Sequence, residues 1–156
     1  MSNLELPIKG GRLNDLIPQR FECQYIDRVT DYSITDNSKF KDSAITAEYR
    51  VPEDSWWRLG HIPGDPLMPG VLIGECANQA AAALFSLCVG GGFCQLSKQC
   101  IRFHGSVTLK DLLQIHITIN FIKMKVGNAK FTIYKLKEDT KVLIADGEIT
   151  GILLNG

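Results

Sequence analysis

Between Gly70 and Val89 the chain is apolar or small at almost every position, with only Glu75, Asn78, Gln79 and Ser86 polar, and this run constrains the fold most. Pro69 precedes it and Gly90-Gly91-Gly92 ends it, so a helix can start after the proline and must stop at the glycines. A helix that is apolar nearly all round has to be enclosed by the rest of the chain. Glu75, Asn78 and Gln79 fall at offsets of three and four, which lines them up as one polar stripe on that helix.

The remaining segments supply strands for the enclosure. Phe21, Cys23 and Tyr25 alternate with polar neighbours and predict a first strand over 21–26, following a short helix over Arg12 to Ile17. Ile45, Ala47, Tyr49 and Val51 predict a second strand with one buried face. After the glycines, Ile101 to His104 and Leu113 to Phe121 alternate again, and a slip of apolar phase at Phe121-Ile122 predicts a bulge or a change of partner strand. Gly127-Asn128 predicts a turn, and Lys130 to Leu136 and Val142 to Ile152 predict two strands around the polar hairpin 137–141. One apolar helix and about six strands predict an α+β fold, an antiparallel sheet curled around the helix, in a single domain over 1–156. Such a sheet has an edge that can pair with a second copy, which favours a two-fold dimer.

Composition excludes several classes. The 17 basic and 17 acidic residues cancel and form no long runs, so neither nucleic acid nor a membrane surface is an expected partner. The N-terminus lacks a basic and apolar leader, and the stretch from Cys76 to Val89 is short for a bilayer, so a cytoplasmic protein is expected. The five cysteines have no C-x-x-C spacing and the three histidines no metal-ligand spacing, so no metal is expected.

The stretch leading into the helix carries chemistry. Pro63, Pro66 and Pro69 fix φ and restrict Ile62, Asp65 and Met68, which holds His61 in a rigid loop ahead of the helix start. Gly70 lets another molecule approach the free N–H groups of the first turn, where negative charge is stabilised. An imidazole base, a carboxyl group and an anion-stabilising helix start thus lie within one segment.

That segment resembles the signature of the 3-hydroxyacyl-[acyl-carrier-protein] dehydratases, which reads H-F-P-x-x-P-x-M-P-G-V-L-x-x-E-x-x-x-Q. This chain supplies His61, Pro63, Pro66, Met68, Pro69, Gly70, Val71, Leu72, Glu75 and Gln79 in register, with Ile62 in place of the aromatic. Weaker similarity runs through Leu16-Ile17-Pro18-Gln19-Arg20, Ile26-Asp27-Arg28-Val29 and Ile101-Arg102-Phe103. The resemblance implies the hot-dog fold, no cofactor, and dehydration of a 3-hydroxyacyl chain carried by acyl carrier protein. A glutamate at Glu75 is similar to the branch that does not also isomerise the double bond.

By the same resemblance His61 is the base and Glu75 the acid, with the Gly70 N–H polarising the thioester carbonyl. The Leu67 carbonyl would orient His61, Gln79 would position Glu75 or the departing water, and Trp56 and Trp57 would line the acyl tunnel or else make core or dimer contacts. The family's sites pair the histidine of one subunit with the carboxylate of the other, which implies a homodimer, with a trimer of dimers as the larger assembly. The resemblance implies fatty acid or related acyl-chain biosynthesis; departures at Gln19, Ser106 and Lys110 offer a divergent member on a dedicated lipid, polyene or polyketide route as the alternative, and an extra residue in Arg58-Leu59-Gly60 alters the register of the loop before His61. Arg102, Lys110, Lys123 and Lys125 are cationic but assign no carrier-binding site. The competing readings are a thioesterase on the same fold and a non-catalytic acyl-thioester-binding subunit.

Overall fold

The computed structural model describes residues 4–154. The apolar run forms one helix, α2, over Gly70–Val89, bounded by the prediction's own residues: Pro69 is extended at its start and Gly90 ends it at φ 79°. A side chain at Gly90 would be strained there, which is why glycine terminates the helix. Around α2 curls a seven-stranded antiparallel sheet in the order β1-β2-β3-β5-β6-β7-β4. The strands are β1 (Ile8–Lys9), β2 (Arg28–Ser33), β3 (Ala44–Arg50), β4 (Phe93–Phe103), β5 (Leu112–Lys123), β6 (Val126–Leu136) and β7 (Lys141–Leu154). A four-residue helix, α1 (Gly11–Asn14), lies between β1 and β2. This is the hot-dog arrangement.

The core is the interface between α2 and the concave face of the sheet. Ile73, Ala77, Ala80, Leu84 and Phe85 of the helix and Leu113, Ile115, Ile117, Ile119 and Ile133 of the strands are all buried. Each Ile, Leu or Phe side chain among them contributes about 1.5–3 kcal/mol by leaving water, so the helix is held by its surroundings more than by its own propensity. By length and composition α2 could cross a membrane, but 72% of its apolar window is buried against the sheet.

Two expected features moved. The alternation at 21–26 is no strand: Phe21–Cys23 forms a 3₁₀ turn with Phe21 at φ 55°, and the strand forms later, as β2. The cause is that a side chain, Gln79, takes the backbone N–H of Tyr25 and the carbonyl of Cys23, groups a strand would have offered to a neighbour. Gly127-Asn128 is likewise strand, inside β6, and the turn sits three residues earlier at Met124-Lys125. Phe85 occupies the space where a Cβ at Gly127 would lie, within 2.8 Å, so the glycine serves packing. The bulge is present, as a register shift between Ile119 and Phe121 against β6. The short opening helix ends three residues before the predicted Ile17.

Candidate active site

Residues 52–69 form no regular element and deliver His61 beside the start of α2. The loop is tied to the sheet by an antiparallel bridge between Leu67 and Thr108 and by the Met68 N–H on the Val107 carbonyl at 2.8 Å. Within it the Leu67 N–H donates to the His61 carbonyl at 3.0 Å, and His61 Nδ1 donates to the Leu67 carbonyl at 2.8 Å. A carbonyl only accepts, so the proton of the neutral ring is on Nδ1 and the lone pair on Nε2. The ring is exposed and offers that lone pair outward.

Gly70 opens the helix and, among the described residues, its N–H finds no acceptor. First-turn N–H groups of a helix lack intrahelical partners, so a charge-bearing oxygen is favoured there. Gly70 also has a packing reason to be glycine: a Cβ would lie 2.9 Å from the Phe103 ring.

Glu75, half-buried, is held at both oxygens. Gln79 Nε2 donates to Oε1 at 2.9 Å and Asn78 Nδ2 donates to Oε2 at 3.2 Å. Gln79 is itself fully buried and locked by the Tyr25 N–H on its Oε1 and by its own Nε2 on the Cys23 carbonyl, each at 2.7 Å. Asn78 was not among the residues singled out for a role, and neither was Gln99 of β4, whose amide donates to Asn78 Oδ1 at 2.9 Å. The polar stripe on α2 was the signal for Asn78. Nothing in the local sequence signals Gln99, because it reaches the stripe from another element.

A narrow slot of about 70 Å³ begins at Glu75 and Asn78 and runs along α2 to Phe85, walled by Ala81, Ala82, Cys94, Leu96 and Gln19. Gln19 Oε1 is buried and has no hydrogen-bond partner among the described residues. Cys94 is no nucleophile, since burial pushes its thiol up to about 11. Trp56 and Trp57 line no part of this slot: Trp57 is buried in the core, while Trp56 is 63% exposed and donates from Nε1 to the Tyr25 hydroxyl at 3.2 Å.

Within one chain the described residues make no hydrogen bond or ion pair between His61 and Glu75, and His61 does not line the slot. A wider concavity of about 600 Å³ is ringed by Lys39, Lys41, Lys123 and Lys130. It lies at the far end of β5 from the His61 loop and is lined by neither His61 nor Glu75, whereas the smaller slot opens beside Glu75.

The FabA-like domain family matches residues 17–146 of the chain. The 3-hydroxyacyl-[acyl-carrier-protein] dehydratase FabZ of Chlamydia pneumoniae is 33% identical over 127 residues, covering 78% of this chain and 79% of that one. The FabZ of Aeromonas salmonicida is 33% identical over 123 residues, 76% of each chain. Among solved structures, the dehydratase heterocomplex ApeI:P from Xenorhabdus doucetiae superposes with a TM-score of 0.70 at 16% identity, over 97% of this chain and 93% of that one. That likeness carries the fold.

Proposed function

The chain belongs to the 3-hydroxyacyl-[acyl-carrier-protein] dehydratase family, and from that membership we propose that it removes water from a (3R)-3-hydroxyacyl chain on acyl carrier protein, giving the trans-2-enoyl thioester, as one domain spanning the chain. His61 Nε2 takes the C2 proton, the electron pair forms the C2–C3 double bond, and the C3–O bond breaks. Glu75 gives its proton to the departing hydroxyl, which leaves as water, and the Gly70 N–H meets the charge that builds on the thioester oxygen. The proton gained by His61 and the one lost by Glu75 are restored through solvent. The acyl chain lies in the slot from Glu75 toward Phe85.

The observation that carries this reading is the His61 Nδ1 bond to the Leu67 carbonyl, which leaves one nitrogen of an exposed ring as a base. The absence of any His61–Glu75 contact among the described residues of one chain supports a homodimer in which each site takes His61 from one protomer and Glu75 from its partner. The open edge of β4, with Leu96 and Phe103 each 47% exposed, is the surface we assign to that pairing. Acyl carrier protein is then the partner that delivers substrate.

The test is formation of conjugated enoyl absorbance from a 3-hydroxyacyl thioester on the carrier. His61→Ala and Glu75→Gln should each cost about 10²–10⁴-fold in kcat, the usual weight of a general base or acid. Free thiol released without enoyl product would instead select thioester hydrolysis, and wild-type turnover unaffected by either substitution would overturn the assignment.

A further inference from the structure

Glu75 is gripped by two amides, and both are anchored to backbone groups whose polarity cannot change. On one side the Tyr25 N–H can only donate and the Cys23 carbonyl can only accept, which fixes both ends of Gln79. On the other side Gln99 Nε2 donates to the Gly74 carbonyl at 2.9 Å and, with its second proton, to Asn78 Oδ1 at 2.9 Å. The carbonyl of Gly74 identifies the nitrogen end of Gln99. The nitrogen end of Gln99 identifies the oxygen end of Asn78, so Asn78 must present Nδ2 to Glu75. Gly74 makes room for this reach from β4, since a Cβ there would lie 2.6 Å from Gln99 Oε1.

From this chain of directions we propose that Asn78 and Gln99 are positioning residues for the acid: Gln99, on the edge strand β4, holds the Asn78 amide so that it donates to Glu75 Oε2. The inference rests on the dehydratase reading above and deepens it. Two fixed donors favour the carboxylate that Glu75 becomes after it protonates the leaving hydroxyl, and they keep its other lone pairs aimed into the slot. Loss of the Asn78 donor weakens the grip on the charged form. Loss of Gln99 removes the bond that fixes the Asn78 amide, which is then free to rotate away from Glu75. A carboxylate in place of Gln99 would enforce that turn, because it attracts the Asn78 nitrogen to itself.

The test is the pH dependence of kcat and KM with a carrier-bound 3-hydroxyacyl thioester, for wild type and for Asn78→Ala, Gln99→Ala, Gln99→Glu and the Asn78→Ala/Gln99→Ala pair. We expect kcat to fall on the order of tenfold in the single alanine variants with KM little changed, as for a lost hydrogen bond to a charged group. The alkaline limb of the kcat profile moves to higher pH in each, furthest in Gln99→Glu, and the double variant matches Asn78→Ala alone because the two act as one unit. A residue that only packs would leave the limb in place. Should Gln99→Ala fail to fold, Asn78→Ala, whose side chain faces the slot, carries the test. Wild-type turnover with unmoved limbs in Asn78→Ala and in every folded Gln99 variant overturns this inference alone. Wild type that makes no enoyl product overturns the dehydratase reading and this inference with it.

Discussion

Gln79 and His116 show two uses of a polar side chain in this molecule. Gln79 is fully buried with its amide bonded on both sides, so replacing it would strand a backbone N–H and carbonyl as well as release Glu75. His116 sits on the outer face of β5, its Nε2 on Gln114 Oε1 at 2.9 Å and its Nδ1 on the Thr46 hydroxyl at 3.0 Å, a pattern that suits the neutral ring. Burial, with a smaller contribution from Lys141, holds its pKa below the ordinary 6.5. The unfolded chain therefore binds more protons than the folded one below about pH 6.5, and this contribution to stability shrinks as pH falls through that window. Melting measured at about pH 7.5 and about pH 5.5 should show a larger acid-side loss for wild type than for His116→Gln. An equal loss in both would remove His116 as the cause. The contacts of His61 with Leu67 and of Gln79 with Glu75 fall within one stretch of sequence, where spacing alone can suggest them. The part of Gln99 was not legible, because it depends on β4 lying beside α2, which spacing along the chain does not encode.

At the scale of elements, α2 was legible to its end residues, since a proline before and glycines after an apolar run leave no other boundaries. The long strands β3 and β5 to β7 followed from alternation for the same reason: one face is in the core and one is not. The segment 21–26 misled because alternation reports side chains only, whereas the backbone there is satisfied by Gln79 and not by a neighbouring strand. Gly127 misled because glycine serves close packing as well as turns. Phe85 is fully buried and cannot retreat from a new methyl group 2.8 Å away, so Gly127→Ala should cost about 1–3 kcal/mol, the usual weight of overpacking a core. Chemical denaturation reads this as a lower midpoint with unchanged slope. A midpoint equal to wild type would mean that the Phe85 ring has room to move. Phe85 also lines the slot that begins at Glu75.

For the whole molecule, a net charge of zero leaves steering to local patches, and the sheet ends on one side in a strand whose apolar side chains are half covered. A single chain places an oriented imidazole on the 52–69 loop and a gripped carboxyl group on α2, and among the described residues no bond joins them. In the dimer we propose, two copies pair along β4 and bring them together, and β4 also carries Gln99, which bonds Asn78. Coexpression of His61→Ala and Glu75→Gln subunits measures this directly. Each mixed dimer would then contain one site with both groups intact, and random pairing should restore roughly a quarter of wild-type activity from two variants that are each inactive alone. Activity that stays at the level of the single variants, with mixed dimers shown to form, would contradict a site shared between protomers.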